Sequence, residues 1–331
     1  MADTLTSTSS RAVLWGKLGW HAAAQAWHAF AGATSDPETI EVLRRGKKSA
    51  TYRLVGVGPA GESIIAQRTH VAKAEIERAM YDSILPLLPV TAPRYYGTRP
   101  DGDGCAWLFL EDVGDQRVPP ADPVHAELAA QWVGLMHTAA TTVAAARRLP
   151  DGGPSRYLDH LRVDLHTIRA NRANPALTPE DAALLDALVS DLDRLDRQWS
   201  AVARVCAGAP ITLVHGDLQR KNVYVRAGPR GMALFVIDWE TAGWGVPAAD
   251  LAWIDLPTYT VVVQTVWPQF RPADAQRLAV VGRVFRELVA IRWVCPQLAY
   301  EAASFLTRPI SWLRVMQQRL ADALRDLGEL T

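Results

Sequence analysis

Residues 211–251 read ITLVHGDLQRKNVYVRAGPRGMALFVIDWETAGWGVPAADL. Taken singly, its polar residues carry little: His215 suits a structural histidine and Asp217 a turn. Their order says more. An apolar run of strand type, 211–214, delivers His215, Gly216 and Asp217, and Asn222 follows five residues after Asp217. A second run, 223–225, leads away, and a third, 233–237, ends on Asp238, then Trp239 and Glu240. Two carboxylates and a carboxamide therefore stand at the ends of adjacent strands. These hard oxygen donors suit Mg²⁺ held by few protein ligands, with substrate phosphates completing its shell.

A second stretch, LVGVGPAGESIIAQR, places Gly56, Gly58 and Gly61 in the spacing G-x-G-x-x-G. A dinucleotide-binding turn needs a helix opening at its last glycine. Here a second strand-like run follows, and Pro59 lacks the backbone N–H that a phosphate cradle would use. This stretch is expected to be a bend between two strands.

The elements that must position these residues divide by character. Residues 11–30 are alanine-rich with aromatics at helical spacing and predict a helix. Strand-like runs near 40–43, 50–57 and 63–68 follow, then an amphipathic helix over 73–88. Residues 91–104 are turn-rich, and the apolar run 106–110 predicts a buried strand closed by Glu111, Asp112, Val113 and Gly114. Beyond Gly114 the pattern is mainly helical, with helices expected at 125–141, 155–173, 177–205, 273–297 and 304–327. Thr178, Pro179 and Asp181 mark one helix start by capping-box logic. The expected fold class is α+β: a small β-rich lobe over residues 1–113, a larger helical lobe over 114–331, and a ligand cleft at their junction.

A chain of 331 residues suits two domains. Lys plus Arg and Asp plus Glu are both 35. That balance offers no electrostatic footprint for nucleic acid or an anionic membrane. No apolar run is long enough to span a membrane and the N-terminus lacks a signal-peptide pattern, so a cytoplasmic protein is expected. Cys105, Cys206 and Cys295 are far apart, as reduced core thiols would be. The sequence assigns no oligomeric state.

The pattern H-x-D-x-x-x-x-N, the D-W-E after an apolar strand, and Gly245, Pro247, Asp250 and Leu251 as G-x-P-x-x-D-L resemble the aminoglycoside phosphotransferase and choline kinase family, a branch of the protein-kinase-like fold. The resemblance covers residues 40–253. It implies that Asp217 is the catalytic aspartate taking the acceptor's proton, and that Asn222 and Asp238 hold Mg²⁺ against the phosphates of ATP or GTP. Asp250, with His215 in the same motif, would steady the catalytic loop; a helix N-cap is the alternative for Asp250. Residues 111–113, with Glu111 and Val113, fall where the family's hinge meets the nucleotide base. The turn at 45–51, with Lys47, Lys48 and Ser49, falls where the family covers the phosphates.

In one respect the chain departs from the family. Glu77, preferred to Glu75 for its apolar register, resembles the helix glutamate that pairs with a strand lysine, yet ESIIAQR contains no lysine. Strand alternation lets either Gln67 or Arg68 face the site. Arg68 is preferred, because a triphosphate beside Glu77 wants a cation. Gln67 at that place would shift nucleotide binding onto Mg²⁺ and backbone amides.

The family's acceptor is a small molecule with a hydroxyl, often cationic; an aminoglycoside-like antibiotic leads, with a choline- or sugar-type metabolite as alternative. Acidic candidates to hold it are Asp159, Asp164, Glu240, Asp255, Glu287 and Glu301. Trp253, Tyr259, Trp267, Phe270, Trp293, Tyr300 and Trp312 offer either a cation cage or core. A catalytically silent kinase-like binding protein is the other class to weigh. A protein kinase is disfavoured, since no activation segment of useful length separates Asp238 from Gly245.

Overall fold

The computed structural model describes residues 11–32, 34–46, 49–119, 122–228 and 231–329. Two compact units emerge: Met1–Leu128 with Gln219–Thr241, and Ala129–Leu218 with Ala242–Thr331. The sequence placed the boundary at residue 113. Residues 219–241 join the first unit because their hairpin bonds there: Thr91 donates its hydroxyl to the Leu234 carbonyl, and Arg226 pairs with Glu111.

The first unit opens with an antiparallel sheet of β1 (Val13–Trp15), β2 (Thr39–Arg45), β3 (Ala50–Leu54), β4 (Ile64–His70), β5 (Tyr95–Pro100) and β6 (Cys105–Glu111), in the order β1-β2-β3-β4-β6-β5. Helix α1 (Ala22–Ala31) lies between β1 and β2 in sequence, and α2 (Val71–Arg78) follows β4 directly. Alternation along β4 and β6 divides the sheet's two faces. Ile64, Ala66, Trp107 and Phe109 pack with Trp27 of α1 into one core, whereas Leu108 and Ala106 pack with Ala74 of α2. Full burial of a side chain such as Phe109 stabilises by roughly 1.5–3 kcal/mol.

The second unit holds most of α3 (Pro123–Ala140), then α4 (Pro154–Asn171), α5 (Pro179–Arg197), α6 (Trp199–Ala207) and β7 (Thr212–Val214). The first unit's hairpin, β8 (Val223–Gly228) with β9 (Gly231–Val236), follows. The chain then completes the second unit with β10 (Gly243–Gly245), α7 (Leu256–Gln264), α8 (Pro272–Val294) and α9 (Ala303–Gly328). β10 pairs antiparallel with β7, Gly243 opposite Val214. The Thr178–Asp181 capping box is formed in both directions.

Several expected elements differ. Residues 11–30 are not one helix: Gly16 has φ +101°, which no helix accommodates, and β1 precedes it as an edge strand on β2. The turn-rich stretch 91–104 contains β5, whose bulge between Tyr95 and Gly97 obscures its alternation. Residues 177–205 split into α5 and α6 at Gln198, whose ψ of 8° leaves the helical range. Helix α7 was not anticipated, because it is apolar on most sides. The amphipathic stretch after β4 leaves α-geometry at Ala79 for a wider π turn that ends at Ile84.

A close approach supports the region around Asp250. A 3₁₀ turn, Pro247–Leu251, lies against α8, and a Cβ on Gly282 would fall 1.9 Å from the Ala248 carbonyl oxygen. Gly282→Ala should therefore destabilise by roughly 1–3 kcal/mol through overpacking, read as a lower urea midpoint.

Candidate functional site

The loop after β7 is held by backbone bonds to one side chain. Asp250 is fully buried, and its carboxylate accepts the His215 N–H at 2.7 Å and the Gly216 N–H at 3.0 Å. His137 Nε2 lies 3.2 Å from the same carboxylate, and its Nδ1 is 3.0 Å from the Tyr259 hydroxyl. Gly216 has φ +80°, open to glycine without strain, and the Asp217 N–H donates to His215 Nδ1 at 3.3 Å. Backbone hydrogen bonds from this loop to Asp250 are thus present. The N-cap alternative is not: Asp250 lies inside the 3₁₀ turn, and Asp255 caps α7 by accepting the Thr258 N–H at 2.8 Å. Asp217 stands half-buried at the end of this fixed loop.

In the first unit, Asn222 precedes β8 and Asp238 follows β9, and Val223 pairs with Val236. The Ile237 N–H donates to the Asn222 carbonyl at 3.0 Å, so both expected ligands stand at one end of the hairpin. Asp238 has φ +69°, an uncommon conformation for a non-glycine residue and one that accumulates at functional sites. Glu77, Asp238 and Glu240 each bring one carboxylate oxygen within 4.8 Å of the others. Burial pushes the Glu77 carboxyl well above its ordinary range, with Asp238 and Glu240 adding like charge. Burial and then Asp238 also raise Glu240, with Lys73 acting against them. Glu77 is fully buried, and its Oε2 has no hydrogen-bond partner among the described residues. A buried, unpartnered carboxylate oxygen beside Asp238 is what a divalent cation would satisfy, so the residues present fit Mg²⁺.

Strand register reverses the preference between the two β4 residues. Gln67 pairs with Leu108, on the face that packs against α2, and its amide donates to Glu77 Oε1 at 2.8 Å. Arg68, one residue on, turns to the other face and pairs with Asp101, which also accepts the Trp107 indole N–H at 2.7 Å. Arg68 is not the cation beside Glu77. Sequence reasoning also passed over Lys73, whose Nζ lies 2.8 Å from Glu240 Oε1. The K-x-x-x-E spacing of Lys73 and Glu77, which puts both on one helix face, was the available signal.

The remaining expected contacts are positioned by backbone. G-x-G-x-x-G is the β3–β4 bend: Gly58 N–H donates to Glu62 O at 2.8 Å and Gly61 N–H to Gly58 O at 2.9 Å, so these donors are spent internally. In the turn between β2 and β3, Gly46 N–H donates to the Ser49 carbonyl at 2.8 Å; Lys47 and Lys48 lie outside the described residues. Glu111 ends β6, with its carboxylate on the Arg94 N–H and Arg226; Asp112 accepts from Arg53, and Val113 is buried.

Most of the acceptor candidates have structural roles. Tyr259, Phe270 and Trp267 pack on one another in the core, and Trp312 sits under the Arg308 guanidinium, so no cation cage forms from them. Asp159 and Glu301 are exposed, whereas Asp164 and Glu287 are buried in the helical unit.

These features define the class: an α+β, protein-kinase-like protein with a β-sheet unit and a mainly helical one. Residues 39–288 match the phosphotransferase enzyme family, and the chain belongs to that family. Among solved structures, aminoglycoside 2'-phosphotransferase-IIIa in its GDP complex is 14% identical, with TM-score 0.62 over 92% of this chain and 99% of that one. Spectinomycin phosphotransferase with ADP and spectinomycin is 11% identical, with TM-score 0.60 over 90% and 96%. Choline kinase from Cryptosporidium parvum Iowa II is 13% identical, with TM-score 0.59 over 88% and 90%. No curated protein sequence matches. No helix among the described residues is long and apolar enough to cross a membrane.

Asp164 provides a pH test of the helical unit. Burial pushes its carboxyl up to about 8, partly offset by Arg292 at 3.9 Å, and neither oxygen accepts a hydrogen bond among the described residues. A pKa raised above the unfolded value of about 3.9 gives stability that is complete below pH ~4 and is lost as pH rises through about 8. Asp164→Asn keeps the neutral shape throughout. Its advantage over wild type in urea unfolding should grow by roughly 2–4 kcal/mol between pH 5 and pH 9.

Proposed function

We propose that the protein moves the γ-phosphoryl group of ATP or GTP to a hydroxyl of a small molecule, with an aminoglycoside-like acceptor favoured. The observation that carries this reading is the anchored loop: a fully buried carboxylate, Asp250, fixes the backbone of His215 and Gly216 and so fixes Asp217. Phosphoryl transfer asks a protein for alignment and charge neutralisation more than for covalent help. Asp217 orients the acceptor hydroxyl and takes its proton as the oxygen attacks phosphorus, and an ordinary ionised carboxylate suffices for that step. Asn222 and Asp238, at one end of the β8–β9 hairpin, would hold Mg²⁺, which when bound neutralises charge on the donor phosphates. The backbone of residues 111–113 would meet the nucleotide base and the Ser49 turn its phosphates.

Support for the acceptor class comes from the structural relatives, which include phosphotransferases for aminoglycosides and spectinomycin. For a choline-type acceptor, Tyr259, Trp267 and Phe270 are not available as a cage, since they fill the core. A silent binding protein is favoured by one feature, the neutral Gln67 beside Glu77.

Asp217→Ala should lower kcat by roughly 10²–10⁴-fold, with nucleotide affinity and melting temperature unchanged. The assay is nucleotide-dependent phosphorylation across an aminoglycoside panel, with mass spectrometry for the added phosphate. Turnover equal to wild type would remove Asp217 from the reaction. A thermal shift by ATP that needs Mg²⁺ and disappears in Asp238→Ala separates the enzyme from the silent protein.

A further inference from the structure

The family-like glutamate of α2 has an amide where a strand lysine would stand, and a donor triphosphate still requires a cation. Gln67 brings no charge to Glu77, and Arg68 is committed to Asp101 on the opposite face of the sheet. The same helix that carries Glu77 supplies another candidate. Lys73 sits one turn before Glu77, on the same face, and its Nζ is 2.8 Å from Glu240 Oε1. Glu240 in turn has an oxygen within 4.8 Å of Asp238 and of Glu77. The ammonium is therefore held at the carboxylate cluster where the donor's charge must be met, and its side chain keeps 36% of its exposure.

We propose that Lys73 is the phosphate-binding cation of this chain, relocated from β4 to α2 and held in place by Glu240. The inference rests on the phosphotransferase reading and gives a role to the residue which that reading lacked. An ammonium is a point charge on a flexible four-carbon stem with three donors, so it can keep one bond to Glu240 while another N–H meets a phosphate oxygen. The neutral Gln67 then serves a separate purpose, since its amide holds the Glu77 carboxyl without competing for the phosphates. The arrangement exchanges a cation on a rigid strand for one on a helix.

Calorimetric titration with Mg²⁺ and ATP or GTP, alongside the matching nucleoside, tests the assignment on wild type, Lys73→Met, Lys73→Arg and Gln67→Lys/Lys73→Met. Lys73→Met should weaken the triphosphate by roughly 10- to 100-fold, the worth of one charge-assisted hydrogen bond, and leave nucleoside affinity within about 2-fold. Lys73→Arg should retain most of the triphosphate affinity, and returning a lysine to β4 in the double variant should recover it. Triphosphate binding unchanged in Lys73→Met overturns the role of Lys73 and leaves the phosphotransferase reading standing. Equal losses of nucleoside and triphosphate also overturn it, because a merely structural salt bridge would produce them. A wild-type protein that binds neither triphosphate overturns both readings.

Discussion

A single buried carboxylate organises the loop after β7. Asp250 has no exposure, yet it accepts two successive backbone N–H groups and faces an imidazole that is itself bonded to Tyr259. Removing one partner from such a set leaves the others desolvated and unpaired, at about 1–3 kcal/mol per group. That asymmetry is what keeps the His215–Asp217 backbone in one conformation. The requirement spreads outward: Thr212 on β7 donates its hydroxyl to the His137 carbonyl at 2.5 Å, and the turn bearing Asp250 fits α8 only because residue 282 has no side chain. The catalytic aspartate proposed here is thus located by hydrogen bonds that belong to other residues.

The first unit has the opposite problem, an excess of like charge. Three acidic side chains converge, two of them with carboxyls raised by burial and by Asp238. Coulomb repulsion at such distances is worth several kcal/mol in a partly buried setting, so the cluster is stable only with compensation. Some arrives through Lys73 and some by leaving a carboxyl neutral, and a bound cation would supply more. The left-handed backbone of Asp238 belongs to the same picture, because strain of ~1–3 kcal/mol persists only where the surroundings fix it.

The sequence was most legible where chemistry and pattern coincided. The order of His215, Asp217, Asn222, Asp238 and Asp250 was enough for the family and for the loop-steadying contacts, since each stands at a strand end or turn that the apolar runs announce. Bends and caps were also readable: the G-x-G-x-x-G turn spends its own donors, and Thr178 caps α5 as expected. What failed depended on partners distant in sequence. β1 exists because β2 accepts it, β5 hides behind a bulge, and residues 219–241 belong with the first unit through bonds to Thr91 and Glu111. Gln67 and Arg68 were separable only by which face of the sheet carries α2, a fact no local pattern contains.

That last distinction bears on how an absent lysine should be read. A motif records where a charge usually sits in the chain, whereas the reaction requires only where it sits in space. Along β4 a one-residue change of position turns a side chain to the opposite face, so Arg68 could not take over, despite being adjacent and basic. Along α2 a shift of four residues leaves a side chain on the same face, so Lys73 could. Helical periodicity tolerates relocation of a cation that strand alternation forbids. A sequence lacking the strand lysine is therefore weak ground for assigning a silent protein until the neighbouring helix has been searched for the same charge.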